Sequence, residues 1–165
     1  MAEYLSKYDF KNPPSKIEYL DDDPFKLSQE LIFYHNKNTF RKELTKLQNI
    51  FKSYTKNPLI ASGIRDSYLE EEYFENYLII LFTKGDLVEK TNDIIKQRVG
   101  KTIEPGCYYI IITSEYMLLL SKDMKGLISG INIMEEIFIQ TFEDYFKRNN
   151  LNKFIQIRSF TLYGS

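Results

Sequence analysis

EPGCYYIIITSEYMLLLSKDMKGLISGINIMEEI, residues 104–137, spells out a complete folding unit in order. Pro105 and Gly106 make a turn, and an apolar run follows from Cys107 to Thr113. Ser114 and Glu115 reverse the chain into a second run, Tyr116 to Leu120, and Asp123 opens a helix. A two-residue reversal is too short for a parallel crossover, so the spacing predicts an antiparallel hairpin followed by a helix.

That helix is expected from Asp123 to about Arg148, with Met124, Leu127, Ile128, Ile131, Met134, Ile137, Phe138, Phe142 and Tyr145 at helical spacing. So wide an apolar face needs both a sheet and a second helix to cover it. Gly126 and Gly130 lie four apart on one face, where a missing side chain lets another backbone approach. A phosphate cradle would need a Gly-rich loop and a Lys next to a hydroxyl, and Lys125-Gly126 has no such frame.

The second helix is found upstream. Asn38 or Thr39 offers a cap, and Phe40, Leu44, Leu47, Phe51 and Tyr54 form one stripe, with Lys42, Lys46 and Lys52 outside it. Asn57 and Pro58 end it. Strands are expected at Lys16–Leu20, Glu30–His35, Tyr77–Thr83 and Phe154–Tyr163, and a shorter helix from Asp86 to Arg98 with Leu87, Ile94 and Ile95 as its apolar positions, ended by Gly100. Residues 1–15, closing on Pro13 and Pro14, read as an arm, and residues 16–165 as a single domain. The fold class is α+β: a mostly antiparallel sheet of about five to seven strands, with two long helices, 38–54 and 123–148, on one face.

Composition excludes several functions. The 22 Lys and Arg are matched by 23 Asp and Glu, interleaved along the chain, which removes the basic footprint of nucleic-acid binding. No apolar run approaches the ~20 residues of a membrane span, and the first ten residues lack the apolar centre of a signal peptide, so the chain reads as soluble with its compartment open. Cys107, the single cysteine, has no disulfide partner within the chain and reads as a buried, inert thiol.

Four groups invite a chemical reading. Asp21-Asp22-Asp23 lacks the alternating ligands, mid-loop Gly and downstream Glu of a calcium loop, and reads as a solvated turn. The acidic run Leu69–Glu75 places its carboxylates in one row, where they share one environment instead of the opposed environments that separate an acid from a base. His35 is the only histidine, so neither a triad nor a usual zinc site can be assembled around it, and it reads as a structural strand residue. Tyr4, Tyr8, Tyr68, Tyr73 and Tyr163 are the tyrosines that could be exposed and serve a glycan or a protein partner, although aromatics at this density more often pack in the core and on sheet faces. The expectation is therefore no catalytic residue, no cofactor and no metal.

The order of Gly106, Tyr108, the second strand, Asp123, Gly126 and Gly130, with Leu127, Ile131, Met134 and Phe138 along the helix, resembles the non-catalytic α+β domain preceding the barrel in β-N-acetylhexosaminidase-like glycoside hydrolases of families 20 and 84. The resemblance implies an accessory domain packed beside a catalytic (β/α)8 barrel, in the same or another chain, with a surface that the barrel would cover. It carries no catalytic residue over: a barrel needs about 200 residues or more, the family 20 Asp-Glu pair is absent, and Asp21 to Asp23 sit in a turn. The Asp-x-Pro and Arg-Gly steps of the handover to the barrel are also absent near Arg158-Ser159. A free-standing carbohydrate- or protein-binding module is the alternative.

Overall fold

A computed structural model describes residues 4–27, 31–35, 41–56, 60–63, 77–84, 94, 97–98, 103–148 and 155–165, with the backbone alone at 32–34, 60–63 and 84. The strands are β1 (Lys16–Tyr19), β2 (Phe25–Leu27), β3 (Leu31–His35), β4 (Ile60–Gly63), β5 (Leu78–Lys84), β6 (Tyr108–Ile112), β7 (Tyr116–Ser121), β8 (Ile155–Ile157) and β9 (Phe160–Gly164). The two long helices are α1 (Arg41–Thr55) and α2 (Met124–Lys147). Seven strands form one sheet in the order β1-β9-β6-β7-β5-β3-β4, and β2 pairs with β8 in a separate ribbon. Among the described strands only β3 and β4 run parallel, and the other pairings are antiparallel. The fold is the expected α+β class.

The 104–137 unit folds as its sequence predicts. The Cys107 amide donates to the Glu104 carbonyl at 3.0 Å, and Gly106 takes φ +78°, the conformation that the third residue of a type II turn requires. Tyr108–Ile112 then pairs with Met117–Ser121 in register. At the reversal Ser114 and Glu115 both keep negative φ, and the Thr113 hydroxyl accepts from the amides of Glu115 at 3.2 Å and Tyr116 at 3.3 Å. This side-chain turn replaces the left-handed residues that a two-residue hairpin usually needs.

Alternation along the strands divides the core into two. Ile80, Phe82, Tyr108, Ile110, Ile112, Met117, Leu119, Phe160 and Leu162 face the helices, where they meet Leu127, Ile131, Met134, Ile137, Phe138 and Phe142 of α2. From α1, Leu44, Leu47 and Phe51 complete this layer; Phe51 meets Phe138 and Phe142 edge-on at 4.9 and 5.0 Å. At about 1.5–3 kcal/mol for each large apolar side chain fully buried, this layer outweighs any single polar contact in the molecule. The opposite face is also buried: Ile79, Leu81, Ile111, Leu118 and Leu120 pack with Ile94 and Ile103, so β7 is covered on both sides.

Several expectations are corrected. Residues 154–163 do not form one strand: the chain breaks at Arg158-Ser159, sending β8 to the ribbon and β9 to the main sheet. Ser159 is fully buried there, its hydroxyl donating to the Asp23 carbonyl and its own carbonyl accepting from the Leu20 amide at 3.0 Å. Strands β2 and β4 had no counterpart in the sequence reading. The arm carries no regular element yet is tightly held: Asp9 exchanges two hydrogen bonds with the Gln140 side chain, and the Lys11 amide donates to Glu136 at 3.0 Å. Asn38, Thr39 and Phe40, Asn57 and Pro58, and most of the 86–98 helix lie outside the described residues; Ile94, Gln97 and Arg98 are helical.

Candidate functional site

Gly106, Asp123 and Gly126 meet at one junction. Asp123 caps α2: one carboxylate oxygen accepts from the Gly126 amide at 2.8 Å and the other from the Gly106 amide, also at 2.8 Å. Ser121, fully buried at the end of β7, donates to the Cys107 carbonyl at 2.9 Å and lies 3.0 Å from the Asp123 carbonyl. The turn before the hairpin and the first turn of α2 are thus tied through one side chain. Gly126 sits over the Cys107 carbonyl and Gly130 over Leu119 and Tyr108, so both glycines serve close packing.

Beside this junction, the Tyr163 hydroxyl accepts from the Glu104 amide at 3.0 Å and meets the Cys107 thiol. The Glu104 amide bond favours the phenolate, but desolvation, the thiol contact and the neighbouring charges outweigh it and raise the Tyr163 pKa. Cys107 is half-buried, which corrects its reading as a wholly buried thiol.

A second polar cluster lies on the opposite face of the sheet. Arg98 donates through Nη2 to the Tyr116 hydroxyl at 3.2 Å. Thr83 stands opposite Tyr116 on the neighbouring strand, and opposed residues share a face. Two of the polar atoms here, Thr83 Oγ1 and Arg98 Nε, are buried without a hydrogen-bond partner among the described residues. A buried polar group left unpaired costs about 1–3 kcal/mol. Sequence reasoning passed over all three residues. The available signal was a Thr closing the otherwise apolar run Leu78–Phe82.

The groups singled out from sequence are not brought together. Asp21, Asp22 and Asp23 are exposed in the turn between β1 and β2, where Asp22 accepts from the Asp23 amide at 2.9 Å. His35 is buried at the end of β3, registered against Ile80 and Gly63. The acidic run Leu69–Glu75, Tyr68 and Tyr73 lie outside the described residues. Tyr8, named among the tyrosines for the surface, is 5% exposed: its ring stacks on Phe160 at 5.2 Å and its hydroxyl shares a hydrogen bond with the Thr141 hydroxyl at 2.9 Å. Tyr4 and Tyr163 are half-buried. Among the described residues no three His, Cys, Asp or Glu side chains are placed to share a metal ion, and Phe146 is the large apolar side chain standing exposed. No helix among them is long and apolar enough to cross a membrane.

Compared with protein-family models, curated proteins and solved structures, the chain matches none.

Proposed function

We propose that this α+β unit is a non-catalytic accessory domain of the kind found beside the barrel in β-N-acetylhexosaminidase-like glycoside hydrolases. The observation that carries the reading is the Gly106–Asp123–Gly126 tie. The residues that resemble the family pattern are the ones whose spacing this junction requires: a turn glycine with a free amide, an aspartate capping the helix, and a glycine three residues on. Gly130 completes the pattern by seating α2 on the hairpin at Leu119. Asp123 acts as a helix cap and Asp21, Asp22 and Asp23 sit exposed in a turn, which suits a packing role better than glycosidic bond cleavage.

On this reading the partner is a catalytic (β/α)8 barrel and the chain has no turnover of its own. The test is to sequence the transcript past codon 165 and to assay the purified chain with chromogenic N-acetylglucosaminides. A continuing frame that encodes repeated strand-helix units and a carboxylate pair, together with no turnover by residues 1–165, supports the proposal. A stop codon there, with glycan binding by the chain alone, would favour the free-standing carbohydrate-binding module instead. Turnover that disappears on mutating Asp22 would refute the non-catalytic reading.

A further inference from the structure

We propose that Arg98, Tyr116 and Thr83 form a binding site for a small oxyanion, a carboxylate or a phosphate group, on the sheet face opposite the long helices. The proposal stands apart from the accessory-domain reading and rests on different residues. Arg98 is half-buried, and among the described residues its guanidinium bonds only to a phenol. No carboxylate pairs with it among the described residues, where the one salt bridge is Arg148 with Asp144. A positive charge half-buried on this face therefore lacks a counter-charge among the described residues.

The donors suit an anion. A guanidinium presents its Nε–H and a neighbouring Nη–H as a planar fork, which two oxygens of one oxyanion satisfy together. Arg98 Nε is buried with its hydrogen uncommitted. Because the Tyr116 oxygen accepts from Arg98, the phenolic proton remains to be donated. Thr83, 0% exposed, adds an uncommitted hydroxyl from the strand alongside. A water molecule would satisfy the hydroxyl but bring no charge. An oxyanion supplies both.

The test follows the Arg98 Nε–H resonance of the isotopically labelled full chain at constant ionic strength. Sodium phosphate and sodium acetate are the probes, and sodium chloride is the control. Saturable displacement by phosphate alone assigns a phosphate ligand, and by acetate alone a carboxylate ligand; either supports the site. Arg98→Gln should abolish saturation of the anion-dependent shifts read at neighbouring backbone amides. Arg98→Lys, which keeps the charge but loses the fork, should weaken it, and Tyr116→Phe and Thr83→Val should each weaken binding about threefold or more. A wild-type response that never saturates, or that chloride reproduces, overturns the proposal without recourse to any variant. So does saturation that persists unchanged in Arg98→Gln.

Discussion

Gly126 lies so close to Cys107 that the Cys107 carbonyl fills the place a side chain at 126 would need. A Cβ there would also come within 2.9 Å of the Cys107 carbonyl carbon, and backbone held by bonds to Glu104 and Ser121 does not yield as a side-chain tip does. Gly126→Ala should therefore destabilise by about 3 kcal/mol or more, at the upper end of overpacking costs. At Gly130 the nearest neighbour is a Leu119 methyl, which can move, and Ala regains about 1 kcal/mol of helix propensity. Gly130→Ala should be the milder change. Urea unfolding of the two variants checks the order, and a Gly126→Ala protein as stable as its parent would show the junction to be loose.

Asp123 gives one oxygen to each of two amides, so its replacements should be graded. Asn keeps a single acceptor oxygen and loses one bond; Ala loses both. We expect Asp123→Ala to cost about 2 kcal/mol and Asp123→Asn about half of that, from helix-cap and hydrogen-bond magnitudes. Equal losses for the two would mean that only one amide depends on the carboxylate.

Removing residues 1–15 should weaken the whole fold, since Tyr8 covers Phe160 and bonds to Thr141 in the core. Tyr8→Phe keeps the ring and removes one hydrogen bond, for about 1 kcal/mol, whereas Tyr8→Ala also opens a cavity and should cost about 3 kcal/mol or more. Thermal melts of the three proteins decide it. Truncation without effect would return residues 1–15 to the status of a loose tether.

Alkaline pH should unfold the protein through buried tyrosines. Desolvation first, then the charges of Glu136 and Cys107, push the Tyr108 pKa up to about 12 from an ordinary 10.0. The fold thus favours the protonated phenol. Its contribution is complete below pH 10 and declines as pH rises toward about 12, because the unfolded chain gives up this proton first. Tyr8 shifts in the same direction, chiefly through burial. Urea midpoints measured across that window should fall less steeply for Tyr108→Phe than for the parent, and identical slopes would exonerate Tyr108.

What the sequence disclosed was local. The hairpin, the turn at Pro105-Gly106 before it, the helix opening at Asp123 and the stripe Leu44-Leu47-Phe51 are each written within a few residues and are found where the sequence puts them. What it concealed depends on distant partners. The break at Arg158-Ser159 becomes visible only once Ser159 reaches Asp23, 136 residues away. Tyr8 gives no local sign of being core, because Phe160 and Thr141 supply its surroundings. Ile60–Gly63 offers four small or apolar residues with no alternation to mark a strand. The Arg98 cluster was hidden for the same reason, since Thr83 and Tyr116 are neighbours only through the register of β5 and β7.

The position of β9 between β1 and β6 also sets an order of events for the growing chain. β1 is made early, yet its pairing partner among the described strands is β9, whose residues follow more than 140 positions later. At about 5–20 residues per second of synthesis, β1 waits on the order of ten seconds with an open edge. The hairpin β6–β7 closes within 14 residues and is the natural place for structure to begin, with α2 condensing on it through Gly126 and Gly130. During the interval between hairpin and closure, the apolar flank of β6 stands uncovered. An apolar strand edge left open in a growing chain is where aggregation competes with folding, so for this topology the arrival of β9 ends that exposure.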